Sequence, residues 1–95
     1  MKKYELLFII DSALEDEKKQ TIIEMVKETI SSDGEVEKVD VWGNKKLAYP
    51  IQKKNDGYYL LVKFKASTDL PKELNRKLGI TEGVMRYLIT DIQDK

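Results

Sequence analysis

The chain contains no cysteine and no histidine. Their absence removes disulfides, the thiol nucleophile, the commonest transition-metal ligands and the side chain that titrates near neutral pH. A chain that needs no disulfide is expected in a reducing compartment, which points to the cytoplasm. Long apolar runs are missing as well. No stretch approaches the roughly 20 residues that span a bilayer, so no membrane partner is expected. The opening "MKKYELLFIID" has the lysines and short apolar run of a signal peptide. However, Glu5 interrupts the run, Asp11 ends it, and no small-residue cleavage site follows. The five glycines are scattered singly, which leaves no glycine-rich phosphate loop. Carboxylates crowd into "LEDEKK", where acids complement the dipole of a helix start and need no catalytic role. Together these absences predict no enzyme, no catalytic or metal site, no cofactor and no small-molecule substrate.

What is present is a strong segregation of charge inside a net charge of zero. Residues 11–40 hold ten acids and four bases, whereas residues 41–65 hold six lysines and one acid, Asp56. Lys45, Lys46, Lys53 and Lys54 surround an apolar string with a proline in it, Leu47-Ala48-Tyr49-Pro50-Ile51. Such a patch attracts anions even on a neutral molecule. Lysines also keep an exposed edge strand soluble, and composition alone leaves both readings open.

The 95 residues suit one domain, 1–95, and hydrophobic periodicity orders its elements. Lys2 to Ile10 alternates as a strand with Tyr4, Leu6, Phe8 and Ile10 on one face. Leu7 and Ile9 make the other face apolar too, which suits a strand inside the sheet. A helix starting between Ser12 and Asp16 follows, with Ile22, Ile23, Val26 and Ile30 as its buried stripe and Gly34 as its expected left-handed stop. Val36 to Lys46 is a second strand, and Pro50 assigns it or its continuation to a sheet edge, because proline cannot donate to a ladder. Asn55-Asp56-Gly57 is the expected hairpin turn, and Tyr58 to Ala66 the third strand. In "STDLPKELNRKLG" the residues Ser67, Thr68 and Asp69 offer capping oxygens, Pro71 suits the first turn, Gly79 closes the helix, and Leu70, Leu74 and Leu78 form its stripe. Val84 to Ile92 is the fourth strand. The order βαββαβ predicts an α+β, ferredoxin-like split β-α-β sandwich. Its four-stranded antiparallel sheet has two helices on one face, with the first and third strands central.

An uncovered sheet face is a common platform for single-stranded RNA. The aromatic pattern for base stacking is absent from "DGYYLLVKF", where Asp56 replaces a base and Leu60 replaces the second aromatic. A different match is specific. "KKYELLFIID", "EKVDVWGNKKLAYPIQKKNDGYYLLVKF" and "LGITEGVMRYLIT" resemble, in order and spacing, the bacterial small-subunit ribosomal protein six family. The most specific part is Gly43 through Ile51 followed by Gly57-Tyr58. The resemblance implies the same fold, a ribosomal location, and a structural role. It implies binding to small-subunit (16S) ribosomal RNA in the platform, as a heterodimer with ribosomal protein eighteen.

By the same resemblance, Trp42, Leu47, Tyr49, Pro50, Ile51 and Tyr59 would face the protein partner. Lys2, Lys3, Tyr4, Lys45, Lys46, Lys53, Lys54 and Arg86 would face RNA. Two readings stay open for Trp42, Tyr49 and Ile51: burial against a partner, or packing against their own hairpin. Lys45 and Lys46 stand where relatives often carry arginine, so bidentate phosphate contacts are lost there. The chain also ends soon after Ile92, without the polar tail of some relatives. A reading from another class is a free-standing regulatory or oligomerising module whose basic edge binds a small anionic ligand. It differs in predicting self-association and a ligand pocket.

Overall fold

The computed structural model describes the backbone of residues 2–51 and 54–92, and the side chains along it except at 48–54. The elements are β1 (Lys2–Ile10), α1 (Asp16–Ser31), β2 (Gly34–Ile51), β3 (Lys54–Ala66), α2 (Leu70–Ile80) and β4 (Val84–Ile92). They form one antiparallel sheet in the order β2-β3-β1-β4. This is the ferredoxin-like sandwich expected from the element order.

β1 lies between β3 and β4 because it is apolar on both faces, and only an interior strand has both faces to bury. Its even-numbered residues point to the helices, where Leu6, Phe8 and Ile10 meet Leu60, Val62 and Phe64 of β3, all six at or near zero exposure. The stripe Ile22, Ile23, Val26 and Ile30 of α1 and the stripe Leu70, Leu74 and Leu78 of α2 close this core, as their spacing predicted. Each fully buried large side chain contributes about 1.5–3 kcal/mol relative to exposure. Among the described residues, Thr29 is the buried polar one. Its hydroxyl donates to the Met25 carbonyl at 2.8 Å and accepts from Lys77 Nζ at 3.3 Å, tying α1 to α2.

Several local expectations are corrected. Gly34 does not end α1 in a left-handed turn. The helix stops at Ser31, Ser32 is right-handed, and Gly34 opens β2 opposite Ala66. Its glycine character comes from close approach, since a Cβ there would collide with the Lys65 carbonyl. Asn55-Asp56-Gly57 is not the hairpin turn. Lys45 pairs with Gly57, Lys46 with Asp56 and Ile51 with Lys54, so this tripeptide lies inside β3. The ladder outcompetes a local turn signal when both flanking segments have strand partners. β2 does lie at an edge, and Pro50 falls within it. At the start of α2, Asp69 makes no side-chain cap bond, and the Ser67 hydroxyl instead bonds the Asp33 carboxylate. Pro71 takes the first turn as expected, whereas Gly79 sits within the last turn of α2, where the Tyr87 hydroxyl packs against it.

Candidate partner and nucleic-acid interface

The odd-numbered residues of β1 and β3 point away from the helices, and the strand register arranges this open face in rows. One row runs Tyr59–Ile9–Arg86 across β3, β1 and β4, with Gly43 of β2 paired to Tyr59. The next runs Leu61–Leu7–Leu88. The following two read Lys63–Glu5–Thr90 and Lys65–Lys3–Ile92. The face is therefore divided: apolar and aromatic towards the β2–β3 hairpin, charged at the other end. The charged end is neutralised locally, with Lys38 3.6 Å from Asp40 and Lys65 4.0 Å from Glu37.

The apolar half is a real cluster. Ile9 is only 7 % exposed, yet it lies outside the core under the helices. A Cβ on Gly57 would collide with its Cγ2, so a glycine here lets Ile9 close over β3, while Leu47 Cδ2 lies 3.6 Å from that position, an ordinary packing distance. Beside them Leu7, Ile9, Tyr59, Arg86, Tyr87 and Leu88 line a hollow of about 460 Å³. Leu88, at 62 % exposure, leaves its apolar surface in water.

A bulge in β2 completes the arrangement. Val41 pairs with Leu60 and Gly43 with Tyr59, which makes Trp42 the extra residue. Gly43 has φ +79°, a left-handed conformation that glycine adopts without strain. The extra residue seats Trp42 on Tyr59, ring centroids 6.4 Å apart and planes within 12° of parallel. It also sets the following pleat, so that Lys45 shares the face of Gly57 and Tyr59 while Lys46 pairs with Asp56 on the opposite face. Lys45 Nζ lies 5.0 Å from the Trp42 ring centroid.

Of the residues assigned from sequence to the protein partner, Trp42, Leu47 and Tyr59 are thus brought together on one face. Tyr49, Pro50 and Ile51 lie outside the residues whose side chains are described, as do Lys53 and Lys54 of the RNA set. Of the other RNA candidates, Lys3, Lys45 and Arg86 share the open face. Lys3, six residues from Ile9 along β1, is roughly 20 Å from the Arg86 row at about 3.4 Å per residue. Lys2 and Lys46 point to the helix side, and Lys2 pairs with Asp91 at 3.5 Å. Tyr4 is a correction: it is 6 % exposed and stacks on Phe64 at 5.5 Å, so its ring serves the core and is not open to RNA. Its parity in β1 decides this, since residue 4 shares a face with Leu6 and Phe8. Leu7, Leu61 and Leu88 were missed. The doubly apolar pattern of β1 is their signal, and it marks an interior strand equally well.

At the root of the hairpin, Lys19 of α1 lies 4.7 Å from the Tyr58 ring centroid and the Ser12 hydroxyl donates to Asp56 at 3.3 Å. Among the described residues no group of three carboxylates, histidines or cysteines is placed to hold a metal, and no helix is long and apolar enough to cross a membrane.

Known proteins are similar to this chain in sequence and in fold. The chain is 52% identical over 94 residues to the small ribosomal subunit protein bS6 of Alkaliphilus metalliredigens, covering 99% of this chain and 100% of that one. It is 47% identical over 89 residues to that of Clostridioides difficile, covering 94% and 97% respectively. The crystal structure of 30S ribosomal protein S6 from Thermotoga maritima superposes with a TM-score of 0.90 at 29% identity, covering 96% of this chain and 87% of that one. The profile of the family described as Ribosomal protein S6 matches residues 3–91. A fold alone would not assign a job, since this architecture hosts many. Matching sequence over nearly the whole length does: the chain belongs to the ribosomal protein S6 family.

Proposed function

We propose that the chain is a structural component of the small ribosomal subunit, working on the cytoplasmic ribosome without catalysis. Within that role it binds small-subunit (16S) ribosomal RNA together with ribosomal protein eighteen, as a heterodimer. The observation that carries this reading is the division of the open face. Two adjoining rows, Tyr59–Ile9–Arg86 and Leu61–Leu7–Leu88, present apolar surface beside the lysine-bearing hairpin.

The apolar rows suit a protein partner, because each large side chain that a partner buries fully contributes about 1.5–3 kcal/mol. Trp42, Leu47 and Tyr59 belong to this partner surface, and Tyr49, Pro50 and Ile51 take part in partner binding with them. The basic residues suit RNA: Lys45 and Arg86 beside the apolar rows, Lys46, Lys53 and Lys54 on the hairpin, and Lys2 and Lys3 at the far end. They neutralise only a few phosphates. A log–log salt slope of about −0.9 per neutralised phosphate makes binding by the isolated chain weak and steeply salt-dependent. The pair therefore binds RNA more tightly than either protein alone.

Two measurements test this. Fractionated lysate should show the chain sedimenting with small subunits. Titrations of small-subunit RNA at several salt concentrations, with and without ribosomal protein eighteen, should show tighter binding by the pair. An isolated chain that binds as tightly as the pair would end the cooperative reading.

A further inference from the structure

We propose that Gly43 and Trp42 are positioning residues for Lys45, setting where its charge is presented to an RNA phosphate. The inference rests on the reading of Lys45 as a phosphate contact, and adds how the chain aims it. Lysine is a flexible point charge with several rotatable bonds, and its ammonium usually pays a large loss of side-chain freedom on binding. Here two devices reduce that freedom beforehand. The bulge at Gly43 places one extra residue in β2, so the following pleat brings Lys45 out on the open face. Without it, the side chain at 46 would take that face. The second device is the Trp42 ring, seated on Tyr59 at 6.4 Å, with Lys45 Nζ 5.0 Å from its centroid. A cation over an indole face is held by the ring quadrupole, more strongly for tryptophan than for other aromatics. Trp42 is 43 % exposed, so core packing does not account for its placement. Gly43 has open space around its Cβ position, so only its φ of +79° restricts what can stand there.

The test is a double-mutant cycle on RNA binding by the complex with ribosomal protein eighteen, with the affinity of the two proteins for each other measured separately without RNA. Lys45→Gln should reduce the salt slope by about one phosphate's worth. Trp42→Leu, which keeps apolar bulk and loses the ring face, should weaken RNA binding about two- to five-fold. Trp42→Phe should restore part of the loss. In the Lys45→Gln background, Trp42→Leu should have no further effect on RNA. Equal effects of Trp42→Leu in both backgrounds would show that Trp42 acts independently of Lys45, and would overturn the proposal while leaving Lys45 as a phosphate contact. Loss of nothing on Lys45→Gln would overturn the phosphate reading and the proposal with it.

A spectroscopic readout is independent of RNA. The ε-methylene protons of Lys45 should be shifted upfield by the indole ring current in the free protein. The shift should vanish in Trp42→Leu and in Gly43→Val, and persist in Gly43→Asn, because asparagine tolerates the left-handed region and valine does not. Unshifted protons in the natural protein would overturn the proposal and spare the phosphate reading.

Discussion

Along β1, Leu6 and Phe8 are fully buried while Leu7 between them is half covered, and Ile9 is buried by a cluster that no helix touches. The same alternation separates Val62 and Phe64 from Leu61 and Lys63 on β3. The two faces of the sheet are made of residues one position apart, yet they answer to different demands. On the helix face, the apolar side chains of β1 and β3 are buried within the chain, with exposure confined to the edge strands at Val41 and Tyr87, and their energy goes into folding. On the open face, apolar surface is retained at a cost in solubility that folding does not explain, and it lies in two rows beside the hairpin rather than being scattered. An apolar surface that is grouped in this way fits the proposed docking role.

The comparison breaks most sharply on a pair of neighbours. Phe8→Ala should destabilise the fold by about 3–5 kcal/mol in urea titration, since it empties the middle of the core. Leu7→Ala, one residue away, should cost less than about 1.5 kcal/mol, because a half-exposed side chain loses less burial and leaves no closed cavity. Equal losses would mean that the open face is a second core.

Gly57 lies where the open face most resembles a core. Gly57→Ala should cost about 1–3 kcal/mol, because the new methyl meets Ile9 Cγ2 and displaces it. A neutral result in thermal unfolding would mean that this cluster yields without resistance.

A third substitution set tests the docking role. Tyr59→Ala with Leu88→Ser, and separately Tyr49→Ala with Ile51→Ala, should each weaken binding to ribosomal protein eighteen by more than about 1 kcal/mol, measured by calorimetry. The Leu88 and hairpin changes should leave the unfolding midpoint of the free protein nearly unmoved. If the Tyr49/Ile51 pair instead unfolds the free domain, those side chains pack beneath their own hairpin.

The smallest effect lies on neither face. Arg76 donates to Glu73 at 2.6 Å on the exposed side of α2. This hydrogen bond, helped by the charges of Arg76 and Lys77, holds the Glu73 carboxyl below its ordinary value of 4.5. A carboxylate depressed in the folded state stabilises it above the unfolded pKa, and that contribution is lost as pH falls through the folded value. Glu73→Gln should therefore slightly lower stability above about pH 4.5, neutrality included, and the difference from the natural protein should fade as pH falls below that value. Full solvent exposure keeps the effect small. A loss that persists undiminished at acid pH would point to lost packing instead.

Periodicity in the sequence was enough for the element order, the central place of β1 and the stripes of both helices, and Pro50 for the edge place of β2. The reason is physical: a period of 2 or 3.6 in hydrophobicity is itself the condition for burying one face. Both the bounds of β1 and those of β4 followed from alternation alone. Local signals fared worse where a longer-range partner outweighed them. Gly34 looked like a helix stop and serves instead to let two backbones approach. Asn55-Asp56-Gly57 looked like a turn and became part of a ladder, because its backbone groups had partners in Lys45 and Lys46. Tyr4 looked available to RNA beside two lysines, yet its parity in the pleat sends it to Phe64. Composition identified a basic, apolar segment without saying which lysine shares a face with which leucine. That depended on one extra residue at Trp42, and an insertion in a strand becomes visible only when its partner strand supplies the register. The segment's chemistry was therefore determined by the sequence, whereas its geometry was decided by pairing between residues far apart in the chain.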